Sequence, residues 1–152
     1  MASQNEFHNR LASFLSSCDR RFPLAIEIRN PNYLNQSFFD LLQTHDAAMV
    51  LLQGYYMPSA IDLYEKWEKW LQKRVVIRLH GPDRQGMEEK SGLKWDRILT
   101  PRDDELQAFC RIITQMLQRD LDVFLNVNNH YEGSAPLTIE RIHQRLSLSG
   151  VK

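Results

Sequence analysis

The chain has 152 residues, which is enough for one domain with its own hydrophobic core, and we expect residues 1–152 to form a single domain. Hydrophobic residues make up 43% and charged residues 25%, a composition typical of globular proteins that excludes a disordered or fibrous chain. The 19 basic and 19 acidic residues cancel to a formal net charge of zero, so composition gives no electrostatic reason to expect nucleic acid or a membrane surface as a partner.

No secretory signal is visible at the start of the sequence, and every apolar run is much shorter than the roughly 18 residues that a membrane span needs. Cys18 and Cys110 lie in helical patterns without the spacing of a zinc site, and both are expected to be reduced thiols. These features predict a cytoplasmic protein, and no motif assigns it a cofactor.

Helices and strands alternate along the whole chain. Apolar residues at helical spacing predict helices within residues 5–17, 34–42, 61–71, 106–117 and 135–146. Short apolar runs predict strands over residues 24–29, 47–53, 75–81 and 122–129. Strict alternation is typical of an α/β fold with right-handed crossovers and about four parallel strands. Such a unit is either half of a (β/α)8 barrel or a small open sheet.

Three of the strands have one apolar face and a second face that becomes polar toward the carboxyl end. The residues of the polar faces are Glu27 and Arg29, Arg78 and His80, and Asn126 and Asn128. An open sheet covered by helices on both faces would bury these groups at high cost, whereas the inner face of a barrel opens into a site at the carboxyl ends of the strands. The pattern therefore favours a partial TIM-barrel-like fold.

The polar groups have two interpretations. Glu27 could simply form an interior ion pair with Arg29 or Arg78, or the three strands could together form a binding or catalytic rim. Polarisation of three strands at the same end favours the rim, because unpaired interior charges are costly and cluster at functional sites. A metal centre of Glu27, His80 and His130 is not favoured, since no ligand spacing typical of a metal site supports it.

The connections after the last two strands contain Gly81, Gly86, Gly133 and Ser134, which could hold a phosphate or simply form turns. The polar segment 81–101 is expected to be a long loop, either a lid over the site or a solvated insertion.

Four stretches of the sequence resemble the DUF72, or YecE-like, family: residues 22–34, 75–86, 94–106 and 126–142. The resemblance implies a TIM-barrel-like fold and supplies no activity. The family's recurrent polar positions correspond to Glu27, Arg29, Arg78, His80, Asn128, Asn129, His130 and Gly133. The family's first strand, which contains glycine and tryptophan, and its second, which contains a glutamate–asparagine pair, have no counterpart here. The chain therefore resembles the C-terminal half of the barrel.

These observations lead to one functional expectation and two alternatives. The first is an enzyme that acts on a polar or anionic small molecule, with His80 as acid–base catalyst and Glu27 as its partner base. The residues expected to bind its substrate are Arg29, Arg78, Asn126, Asn128, Asn129, His130 and Gly133. The alternatives are a ligand-binding or interaction module without catalysis, and a truncated or split fragment without activity of its own. A half barrel also leaves two strand edges open, so we expect either self-association, as a homodimer or a larger species, or a marginally stable fragment.

Overall fold

The structure is a computed structural model that describes residues 3–148 and 150. The described residues form six α-helices and four β-strands. They are α1 (Gln4–Ser17), β1 (Ala25–Ile26), α2 (Gln36–Thr44), β2 (Ala48–Gly54), α3 (Ala60–Trp67), β3 (Arg74–Gly81), α4 (Arg84–Ser91), α5 (Asp103–Gln118), β4 (Asp122–Val127) and α6 (Ala135–Leu148). Helices and strands alternate, except that two helices, α4 and α5, separate β3 from β4. Short 3-10 turns at Pro31–Tyr33 and Glu68–Trp70 follow β1 and α3. None of the described helices is long and apolar enough to cross a membrane.

The four strands form one parallel sheet in the order β1-β2-β3-β4, the order in which they occur along the chain. Right-handed crossovers between sequential neighbours place α2, α3 and α5 on the same face of the sheet, where their apolar residues join one core. A doubly wound sheet would instead reverse its strand order. The prediction of an α/β fold resembling part of a (β/α) barrel is therefore confirmed.

The core lies between the outer face of this sheet and the helices. Its strand residues alternate along the two central strands, and its largest helical contribution comes from α5. The core residues of β2, β3 and α5 include Met49, Leu51, Val75, Ile77, Leu79, Leu106, Phe109, Ile112, Ile113 and Met116. The alternation is the period of two of a strand, and the spacing in α5 is that of one helix face. The polar positions of β3, Arg78 and His80, consequently point to the opposite, inner face.

Two elements differ from the sequence-based expectation. The first strand, expected over 24–29, pairs with β2 only at Ala25 and Ile26. It lies at the edge of the sheet, so it has one neighbour to hold its backbone rather than two. The side chains of Glu27 and Arg29 nevertheless continue on the inner side and contact each other there.

The segment 81–101, expected to be a long loop, contains helix α4. Asp83 caps this helix by accepting a hydrogen bond from the backbone of Gly86, and Gly92 ends it in the left-handed conformation with φ +56°. The helix has one buried apolar side chain, that of Met87, so no apolar stripe revealed it in the sequence. The capping residues Asp83 and Gly92 were the available signal.

Candidate functional site

A cluster of three charged side chains occupies the inner face of the sheet near the carboxyl ends of the strands. One carboxylate oxygen of Glu27 accepts a hydrogen bond from Nε of Arg29 at 2.6 Å, and the other accepts one from Nη1 of Arg78. The register explains this contact, since Leu52 of β2 pairs with Arg78 and β2 lies between β1 and β3. Two guanidinium groups and one carboxylate leave the cluster with one net positive charge.

The arginines determine the ionisation of Glu27. Burial alone would raise the pKa of this carboxyl, but the hydrogen bonds from Arg29 and Arg78 outweigh it and hold the pKa below the usual value. Glu27 is thus a carboxylate with both oxygens engaged, and it is a weak proton acceptor. This arrangement suits a group that positions the two arginines better than it suits a general base.

His80 lies on the same face, two residues after Arg78. Burial is the main cause that lowers the pKa of its imidazole, and the positive charge of Arg78 lowers it further. Since the ordinary value is 6.5, the ring is neutral at pH 7. Its Nδ1 lies 3.1 Å from the hydroxyl of Tyr55, which donates or accepts according to the tautomer of the ring.

His130 has a different environment from His80. Oδ1 of Asn128 accepts a hydrogen bond from the backbone N–H of His130 at 3.0 Å, so this atom is the amide oxygen, and it also lies 2.5 Å from Nδ1 of the ring. The other ring nitrogen, Nε2, lies 3.1 Å from a carboxylate oxygen of Glu88 on α4. Both ring nitrogens therefore lie within hydrogen-bond distance of an oxygen atom.

Glu88 and Trp95 complete the surroundings of His130. Hydrogen bonds from Arg84 and from His130 lower the pKa of Glu88, which keeps it ionised beside the ring. The indole of Trp95 packs edge-on against the imidazole with ring centroids 5.1 Å apart. His130 thereby ties α4 and the segment after it to the end of β4.

Not all of the predicted binding residues meet at this cluster. Asn126 pairs with Arg78 in the sheet register and is exposed on the inner face. Asn129 caps α6, since its side-chain oxygen accepts from the backbone N–H of Ala135 at 2.8 Å. Gly133 has φ +114°, and a Cβ added to it would lie 2.7 Å from the carbonyl oxygen of Arg97. Asn129 and Gly133 thus shape the turn into α6 rather than line the cluster.

The same turn contains a carboxylate that is fully buried. Glu132 accepts hydrogen bonds from Arg141 at 2.5 Å, from the hydroxyl of Thr138 at 2.8 Å and from the backbone N–H of Arg102 at 2.7 Å. Its carbonyl oxygen also accepts from the backbone of Leu99. These contacts fix the segment before α5 against α6 and support the rim from behind.

A second network lies on the helix side of the sheet. Glu105 of α5 accepts a hydrogen bond from Tyr131 at 2.6 Å and one from the side-chain amide of Gln53 at 2.7 Å. The same Gln53 accepts the first backbone N–H of α3, that of Ala60. Burial and the bond to Glu105 raise the pKa of Tyr131, so it stays a neutral donor. This network fixes the carboxyl end of β2, which Tyr55 directly follows.

Sequence reasoning did not identify Tyr55, Glu88 or Trp95 as site residues. Each comes from a connection or from the unexpected helix α4, where no strand periodicity indicates the direction of a side chain. The Gly-Tyr-Tyr segment directly after β2 was the signal that could have revealed Tyr55, because residues after strand ends line the rim of such folds.

Metal binding receives no support from the geometry. Among residues 3–148 and 150, no group of three or more His, Cys, Asp or Glu side chains lies close enough together to hold an ion. The distances bring Glu27 to arginines and His130 to Glu88, and the hydrogen-bond partner of His80 is a tyrosine. The arrangement that results places two guanidinium groups and a neutral imidazole on the same face of the sheet.

Solved structures similar to this one include proteins of two bacteria. A DUF72 family protein of Thermotoga maritima matches with a TM-score of 0.67 and 16% sequence identity over 93% of this chain and 52% of its own. Two crystal structures of a DUF72 family protein of Enterococcus faecalis match at 16% identity with TM-scores of 0.65 and 0.59. They cover 96% and 100% of this chain and 54% and 57% of their own. The chain thus spans about half the length of these proteins.

A comparison with curated proteins finds no match. The model of the family described as "Protein of unknown function DUF72" matches residues 1–152, the full length of the sequence. Sequence and fold agree on this assignment, and the chain belongs to the DUF72 family.

Proposed function

We propose that the protein binds a small anionic molecule at the carboxyl ends of its strands and that His80 transfers a proton there. The observation that carries this proposal is the convergence of Arg29 and Arg78 beside a neutral histidine. Within the described structure, the hydrogen bonds of the cluster use Nε of Arg29 and Nη1 of Arg78. The other N–H groups of these two guanidinium groups are available to an anion on the open inner face.

The chemistry of His80 suits such a role. A ring that is neutral at pH 7 can accept a proton, and the adjacent guanidinium groups can stabilise negative charge that develops on the ligand. Glu27 holds the two arginines in place and His130 holds α4, so both act on the site through other residues. Asn126 and Asn128 remain proposed contacts on β4.

Titration of the protein with inorganic phosphate by isothermal calorimetry tests the anion site. We expect the Arg78→Ala and His80→Ala variants to bind phosphate at least about tenfold more weakly, since each removes a charged or hydrogen-bonding contact to it. Arg111→Ala is the matched control, because Arg111 pairs with Glu65 on the exposed helix surface. Unchanged phosphate binding in the Arg78→Ala and His80→Ala variants would show that the anion lies elsewhere.

We also propose that the open edges of the sheet drive self-association. β1 and β4 each pair with one strand among the described residues. Large apolar side chains are exposed at both edges: Phe124 on β4 is 54% exposed, Leu148 on α6 is 89% exposed, and Phe14 on α1 is 54% exposed. Since the chain spans about half of the solved family members, a second copy is the proposed partner that covers these surfaces.

Light scattering coupled to size-exclusion chromatography measures this association. We expect a dimer or larger species for the protein, and dissociation on Phe124→Glu, which places a charge in the proposed interface. Gln115→Glu adds the same charge on the exposed surface of α5, outside the proposed interface, and controls for net charge. A well-folded monomer of the unaltered chain would contradict the proposal. The cytoplasmic location remains a proposal from the sequence.

A further inference from the structure

A small slot opens beside the arginine cluster, on the rim formed by the end of β2. Its lining consists of Arg29, Leu52, Tyr55, Tyr56 and Met57, and its volume is about 120 Å³. An apolar cavity of about 150 Å³ engineered in another protein accepts benzene. The slot is therefore of the size of one six-membered ring.

The walls of the slot have the chemistry that holds flat rings. The guanidinium carbon of Arg29 lies 5.8 Å from the centre of the Tyr55 ring, and Tyr56 is 74% exposed beside it. Leu52, which is 1% exposed, closes the floor. Aromatic faces and guanidinium planes both stack on π systems, so these walls favour an aromatic ring over a polar chain.

The backbone is strained where it presents the tyrosines. The register between β2 and β3 shifts between Gln53 and Gly54, and Tyr55 follows with φ +57°, in the left-handed region that aromatic residues rarely adopt. Gly54 itself has φ +141°, and a Cβ there would lie 2.5 Å from the carbonyl oxygen of Gly81. Bulges and positive φ values of this kind recur next to functional sites, where they aim a side chain.

We propose that this tyrosine slot binds the aromatic or heteroaromatic ring of a ligand whose anionic group is held by Arg29 and Arg78. Arg29 lines the slot and belongs to the anion site, and the floor residue Leu52 pairs with Arg78 in the sheet register, so the two sites adjoin on neighbouring strands. One compact ligand reaches both sites. This inference rests on the anion site proposed above and adds a ring to it, which makes an aryl phosphate or aryl carboxylate the ligand class.

Calorimetric titrations with phenyl phosphate and with inorganic phosphate test the slot. We expect phenyl phosphate to bind about tenfold more tightly than phosphate, the size of one stacking contact between a ring and an aromatic side chain. Tyr56→Ala should remove that advantage and leave the affinity for inorganic phosphate within about twofold. Phe22→Ala is the control, because Phe22 is 66% exposed but precedes β1, at the opposite end of the strands.

The outcomes separate the two proposals. Arg78→Ala should weaken both probes, because both contain the anion. Equal affinity of the unaltered protein for the two probes would overturn the ring site and leave the anion site standing. Cyclohexyl phosphate that binds as tightly as phenyl phosphate would also overturn it, since the slot would then accept any apolar bulk. Failure of every probe to bind would overturn the anion site and the ring site together.

Discussion

Replacement of Glu27 by glutamine tests whether the net charge of the arginine cluster determines its affinity for an anion. The change keeps the size of the side chain and one oxygen that can accept a hydrogen bond. It removes the single negative charge beside Arg29 and Arg78, so the charge of the cluster rises from one positive unit to two. An anion should therefore bind more tightly to the variant, even though the variant has lost an ion pair.

The magnitude follows from distance and exposure. One unit charge about 4 Å from a bound anion contributes about 4 kcal/mol at an effective dielectric constant near 20 and about 1 kcal/mol in water. The side chain of Arg29 is 56% exposed and that of Glu27 is 17% exposed, so solvent screens much of the interaction. We expect a gain of about 1–2 kcal/mol, which is roughly a 5- to 30-fold increase in affinity for phosphate. The loss of one of the two charge-assisted hydrogen bonds, together with the negative charge, should lower the free energy of unfolding by about 2 kcal/mol.

Phosphate titrations at ionic strengths of about 0.01 M and about 0.15 M measure the first effect, and urea denaturation measures the second. The gain in affinity should shrink at the higher ionic strength, because salt screens exposed charges. Glu65→Gln is the matched control, since Glu65 pairs with Arg111 at 3.3 Å on an exposed surface. A folded Glu27→Gln protein that binds phosphate no more tightly than the unaltered one would refute the electrostatic reasoning.

Three further predictions concern the histidines, the buried carboxylate and the turn before α6. The pKa of His80 lies below its ordinary value of 6.5, so His80 gains a charge only as the pH falls through that lowered value. Sulfate binding should consequently tighten between about pH 7 and about pH 5, both in the unaltered protein and in the His130→Gln variant. A calorimetric pH series measures this change. The same tightening in the His80→Gln variant would contradict the assignment. Glu132→Gln removes the buried carboxylate that neutralises an arginine, so the free energy of unfolding measured by urea denaturation should fall by about 3 kcal/mol. A fall of less than about 1 kcal/mol would mean that the ion pair contributes little. Gly133→Ala should lower the free energy of unfolding by more than about 2 kcal/mol, because the backbone has φ +114° and the new Cβ meets a carbonyl oxygen. Gly92→Ala should lower it by about 1 kcal/mol, because Gly92 has φ +56° but open space around it.

The sequence was sufficient to predict the number and order of the strands and the polarity of their faces, although not the extent of β1. In β3 the alternation of Val75, Ile77 and Leu79 with Arg78 and His80 has the period of a strand, so it indicates both the element and the direction of each side chain. Four such strands with helices between them allow few topologies, and the parallel order followed from that restriction. The contact between Glu27 and Arg78 follows in turn, because both side chains lie on the inner face and only β2 separates them.

The parts of the site that come from connections could not be predicted in the same way. Helix α4 contributes Glu88, but its stability comes from the caps Asp83 and Gly92 and from pairs such as Arg84 with Glu88 rather than from an apolar stripe. The position of Tyr55 depends on a register shift at Gly54, which is a tertiary property with no local signature beyond the glycine.

The two histidines show most clearly why site chemistry requires the structure. His80 and His130 both follow strands and are equivalent candidates in the sequence. In the structure, the contacts of His130 with Asn128 and Glu88 occupy both of its ring nitrogens, so an exchange of its proton with a ligand would break a contact that holds α4. Among residues 3–148 and 150, the ring of His80 has one hydrogen-bond partner, the hydroxyl of Tyr55, and the ring is neutral beside two arginines. We therefore propose His80 as the residue that transfers a proton, because its ring takes no part in the contacts that hold α4, whereas one ring nitrogen of His130 contacts Glu88 of α4 and the other lies against Asn128.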